Sequence, residues 1–112
     1  MKSSNVLLVA GEIRAVIDFG GLGLGDPACD LIVAWDLLSP AGRAALRAAL
    51  PYDDDTWERA RGWALSVALI ALPYYMGTDA AMTAYARRLL GALGVRASEA
   101  ERERPSDGAC PR

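Results

Sequence analysis

Two apolar runs open the chain. Residues 5–9 read Asn-Val-Leu-Leu-Val and residues 13–18 read Ile-Arg-Ala-Val-Ile-Asp, with Ala10, Gly11 and Glu12 between them. Apolar and β-branched residues on both sides of a glycine-bearing turn predict a β-hairpin. Val6-Leu7-Leu8-Val9 is apolar at every position, so both faces of this strand are expected to be covered. A lone hairpin is marginal in water, so it is expected to pack on helices or on a partner. Gly20-Gly21-Leu22-Gly23-Leu24-Gly25 follows as a loop.

The pattern then changes to a helical period. Asp26-Pro27 pairs an N-cap residue with proline at the first helical position, and predicts a helix through Ala28–Leu38. Ser39-Pro40 repeats the signal and opens a second helix, which Pro51 stops. Its Leu46 and Leu50 are one turn apart. A third helix starts among Asp53, Asp54 and Asp55, whose charges suit a helix N-terminus. Trp57, Ala60, Ala64, Ala68 and Leu72 line one of its faces, and Trp63, Val67 and Ile70 line another. A helix apolar on nearly all sides is expected to be buried. Its apolar stretch, Trp63–Met76, is interrupted by Pro73. It falls short of the roughly 20 residues that a bilayer requires. Met82, Tyr85, Ala86, Leu89, Leu90 and Leu93 mark the last helix, which Gly94 ends. The expected fold is α+β and mainly helical: an N-terminal hairpin, a glycine loop and about four helices within residues 1–95. Residues 96–112 are charged, contain Pro and Gly and have no apolar period, so a disordered tail is expected there.

Composition narrows the function classes. The 112 residues suit one domain, 53% of them apolar, with a formal charge of −2. That balance points away from nucleic acid and from anionic membrane surfaces as partners. The opening apolar run of four residues is too short for a signal peptide. Cys29 and Cys110 have no metal-ligand spacing, and no disulfide is expected between them. The chain therefore reads as cytoplasmic, with reduced thiols. There is no histidine, which removes His-dependent nucleophiles and His metal sites from these residues.

Asn5 and Asp18 are the residues that stand out. They lie on the two arms of the hairpin, at the ends away from its turn, so strand pairing brings them together. An amide oxygen beside a carboxylate is a hard-oxygen site of the kind Mg²⁺ accepts, with water and phosphate completing its shell. Asp and Asn also flank hairpins as turn formers and edge blockers, and spacing leaves both readings open. Gly23-x-Gly25-x-x-Ala28 fits a dinucleotide fingerprint in form. Asp26 would face the pyrophosphate, however, and no second strand with an acidic end follows. The acids Asp53, Asp54, Asp55 and Glu58 either cap a solvated helix or meet a cationic substrate. Trp35, Trp57 and Trp63 read as core, and Tyr74 and Tyr75 as candidates for the edge of a cleft.

Taken together, Asn5, Asp18-Phe19-Gly20 and Asp26-Pro27-Ala28-x-Asp30-Leu31 resemble the aminoglycoside phosphotransferase family, which has a protein-kinase-like fold. The resemblance runs over about residues 5–93 and includes Trp57–Tyr75. It implies the C-terminal lobe of an ATP-dependent enzyme that phosphorylates a hydroxyl of a small molecule. By this resemblance Asn5 and Asp18 are the Mg²⁺ ligands, with ATP as the cofactor. Asp26 and Asp30 are implied to be structural, capping a helix and bracing the catalytic loop. The family's catalytic Asp is expected five residues before Asn5, one position ahead of Met1, and its nucleotide-binding lobe further upstream. The chain alone is therefore expected to be inactive. The alternative is a non-enzymatic helical remnant that binds a ligand or protein. In that alternative the exposed hairpin face, Val6 to Val9, is the sticky surface, and self-association through the uncovered hairpin becomes a candidate contact.

Overall fold

The computed structural model describes residues 3–21 and 23–95. A single 3-10 turn, Ser3–Asn5, leads into strand β1, Val6–Val9, which pairs antiparallel with β2, Glu12–Val16. Val6 faces Val16 and Leu7 faces Ala15, but Leu8 faces Ile13. Arg14 is thus the extra residue of a β-bulge, the device that bends and twists a strand locally. Ala10 and Gly11 form the two-residue turn, both at positive φ (51° and 82°), as a hairpin that matches the strands' twist requires.

The helical part follows as a second 3-10 segment, Pro27–Ile32, then α1 (Val33–Asp36), α2 (Pro40–Ala49), α3 (Asp54–Tyr75) and α4 (Ala80–Ala92). The mainly helical α+β architecture expected from the pattern is present. Asp26, Ser39, Asp53 and Asp79 each accept a hydrogen bond from a backbone N–H in the helix they precede. The core lies where α3 meets α4 and the 3-10 segment. It holds Trp35, Trp57, Tyr85, Leu89 and Leu93 around a series of buried alanines. Trp35 and Trp57 meet with ring centroids 6.3 Å apart. No helix among the described residues is long and apolar enough to cross a membrane.

Four expectations are corrected. The helix expected over residues 28–38 starts as a 3-10 helix, Pro27–Ile32, and becomes α-helical only over Val33–Asp36. The 3-10 part buries Ala28 and Leu31, three residues apart, the period at which 3-10 side chains eclipse. β2 ends at Val16, so Asp18 does not belong to the strand. The ladder gains one more bond, from Ile17 N–H to Asn5 O at 2.9 Å, before Asp18 turns to a left-handed φ of 63°. Third, α3 is buried on one side only. Its alanine face allows close approach to α4, whereas Trp63 and Ile70 are 44% and 69% exposed, so Trp63 is not a core residue. Finally, the hairpin is not covered among the described residues: Leu7, Leu8, Val9 and Ile13 are all exposed. Pro73 does not end α3, which continues to Tyr75. It sits in the final turn, where a missing N–H disrupts least of the helix that follows. The expected tail and Cys110 lie outside the described residues.

Candidate functional site

Strand pairing places Asn5 and Asp18 side by side. The Asn5 Nδ2–H donates to Asp18 Oδ2 at 3.2 Å, across a sequence separation closed by the hairpin. Both residues line a cleft of about 550 Å³. Val16, Ile17 and Phe19 form its hairpin side, and Asp30, Ile32, Val67 and Tyr85 its helical side. Asp18 is exposed at the mouth, and Asn5 is half-buried.

The residue pair has the chemistry a hard divalent cation accepts, a carboxylate and an amide, although the Asn5 Oδ1 here accepts from the Ser4 hydroxyl at 3.4 Å and it is the Nδ2–H that faces Asp18. Among the described residues no three His, Cys, Asp or Glu side chains are grouped to hold a metal. A cation here would therefore take most of its shell from water or from a ligand's oxygens, as Mg²⁺ commonly does. Among the described residues no Lys or Arg lines the cleft. Its formal charge comes from Asp18 and Asp30, which attract a cation and repel a phosphate that arrives without one.

The other acids have different surroundings. Asp26 caps the 3-10 segment, its Oδ1 accepting from Ala28 N–H at 3.1 Å. It also takes two bonds from Arg59, at 3.2 and 3.3 Å, which tie the start of that segment to the first turns of α3. The Arg59 hydrogen bond, then the Ala28 amide, hold the Asp26 carboxyl below the usual aspartate range, with a smaller contribution from Trp63. Asp30 sits in the same 3-10 segment, but on the cleft side. Asp53 is occupied with Thr56, accepting from its N–H at 2.9 Å and from its hydroxyl at 2.5 Å. Asp54 pairs with Arg47 at 2.7 Å and Glu58 with Arg61 at 3.9 Å. Tyr74 and Tyr75 stack edge to face at 4.8 Å and do not line the cleft.

Sequence reasoning missed Asp36. Its side chain is wholly buried, and it accepts from the Ser3 backbone N–H at 2.5 Å and from Arg88 at 3.3 Å. Arg88 also reaches the Ser3 hydroxyl at 3.4 Å. Tyr85, on the cleft wall, feels the same group: burial first, then the Asp36 charge, raise its phenol above the usual tyrosine value. The available signal was a lone acid inside the apolar run Val33-Ala34-Trp35-Asp36-Leu37-Leu38.

A sequence model described as the phosphotransferase enzyme family matches residues 1–63. The match spans the hairpin, the cleft acids and the helices up to the first half of α3. No curated protein matches the chain, and no solved structure does.

Proposed function

The chain belongs to the phosphotransferase enzyme family, and from that premise we propose that Asn5 and Asp18 hold Mg²⁺ in a site that transfers the γ-phosphoryl group of ATP to a hydroxyl of a small molecule. The supporting observation is the 3.2 Å contact between Asn5 and Asp18 at the mouth of a water-open cleft. When bound, Mg²⁺ neutralises charge on the phosphate oxygens and fixes their direction. Asn5 and Asp18 would supply oxygen ligands from two chain segments, with the Asn5 amide turning over so that its Oδ1, which accepts from the Ser4 hydroxyl at 3.4 Å, replaces the Nδ2–H that faces Asp18. Asp26 stays outside the chemistry and anchors the 3-10 segment from which Asp30 faces the cleft. ATP as donor makes the cytoplasm the compartment of this reading.

Among the described residues no basic side chain lines the cleft, so there the cation is what draws the nucleotide in. These 112 residues by themselves are then expected to bind Mg²⁺-ATP weakly and to transfer no phosphate. The second reading, a non-enzymatic binding module, draws on the exposed apolar hairpin.

Thermal melting separates the two. Mg²⁺-ATP, and not ATP alone, should raise the Tm of this chain, because a ligand at about 100 times its Kd adds about 2.7 kcal/mol to stability. Asp18→Asn, which keeps the side-chain shape and tolerates a left-handed backbone, should abolish the shift. No shift with either nucleotide form would leave the binding module as the better account.

A further inference from the structure

We propose that Asp36 is a positioning residue for Asn5, holding the turn from which the Asn5 side chain reaches Asp18. Burying a carboxylate is costly unless its oxygens are paired, and Asp36 is buried at the edge of the core. It spends one oxygen, Oδ2, on the Ser3 backbone N–H and the other, Oδ1, on Arg88. Ser3 begins the 3-10 turn Ser3–Asn5. That turn is short, and none of its residues is buried, so packing alone does not fix it. Its far end is held by Ile17 N–H donating to Asn5 O. Asp36 holds the near end. The chain of contacts thus runs from Arg88 on α4, through Asp36 on α1 and Ser3, to Asn5 and Asp18.

The arrangement resembles the outer ring of a metal site, in which a partner that never touches the ion fixes a group that does. Losing such a partner commonly weakens metal affinity by about 10-fold to 100-fold. This second consequence rests on the metal reading of Asn5 and Asp18, whereas the positioning itself does not.

The test uses the 112-residue chain and two variants, Asp36→Asn and Arg88→Gln. The second keeps the buried carboxylate and changes a half-exposed partner, so it reports even if Asp36→Asn folds poorly. Leu46→Ala, in the half-buried part of α2, serves as a control for general loss of stability. The first readout is the Asn5 side-chain amide resonance in ¹⁵N NMR. In both variants it should move toward the value of a free amide and exchange faster with water, while the control leaves it in place. The second is Mn²⁺ titration followed by water proton relaxation, where both variants should raise the Kd about tenfold. An unchanged Asn5 resonance in both variants would overturn the positioning role. A wild-type chain that binds no Mn²⁺ would remove the metal reading, and the Asn5 resonance would still decide the role of Asp36.

Discussion

Asp18 combines a charge with an unusual backbone, φ 63°. Side chains with a Cβ pay for that conformation, glycine does not, and Asp and Asn pay less than most. Asp18→Ala should therefore be about 1 kcal/mol less stable than Asp18→Gly in urea unfolding, although both remove the carboxylate. Equal stabilities would mean that the backbone relaxes when the side chain is lost. Asp26 makes a separate prediction in acid. Its folded pKa lies below the usual aspartate value, through Arg59 first and the Ala28 amide second. Its contribution is therefore complete above the unfolded pKa and lost as pH falls through the lower, folded one. In Arg59→Ala the Asp26 carboxyl, followed by ¹³C NMR, should titrate at a higher pH than in the wild type. Residues of this kind were legible in the sequence where their partners are local or set by a single hairpin: Asn5 with Asp18, and Asp26 with Ala28. Asp36 was not, because its partners Ser3 and Arg88 lie 33 and 52 residues away and no local period links them.

Among the elements, the hairpin is the least supported. Its turn places Ala10 at φ 51°, where Asn, Asp or Gly is preferred. The strands expose Leu8 and Ile13, which face each other across the pair. Few buried contacts and a strained turn imply frequent local opening. Hydrogen exchange should find the amides of Val6–Val16 faster than those of Ala64 and Ala68 in α3, and Ala10→Asn should slow the hairpin amides selectively. A hairpin protected as well as α3 would refute that ordering. Helix starts were readable from sequence because a cap is local chemistry: Ser39 accepts from Gly42 N–H at 3.1 Å, and Asp53 likewise serves α3. Burial of a helix face was not, because Trp57 and Trp63 carry the same hydrophobic signal. Only the position of α4 and the 3-10 segment decides that Trp57 is 2% exposed and Trp63 44%.

For the molecule as a whole, the core and the surface lead to one expectation. Among the described residues, seven of the thirteen buried apolar ones are alanines: Ala28, Ala34, Ala60, Ala64, Ala68, Ala71 and Ala86. Small side chains let α3 and α4 approach closely but remove little apolar area each, and that area is the main source of stability. Several larger hydrophobics are meanwhile left outside, on the hairpin (Leu7, Leu8, Val9, Ile13) and along α3 (Trp63, Leu69, Ile70, Tyr74). A chain with a thin core and exposed apolar surface gains by burying that surface elsewhere. The hairpin is the better candidate for self-association, since its strands also offer unpaired edges that a second copy can extend. Sedimentation velocity on the 112-residue chain should then show a mass that rises with concentration, and a Tm that rises with it. A lysine at either of two facing positions, Leu8→Lys or Ile13→Lys, blocks edge pairing by charge. Each should return the chain to a monomer without lowering the helical content. If both variants associate as the wild type does, the contact lies on the exposed face of α3, and Ile70→Lys should disrupt it instead.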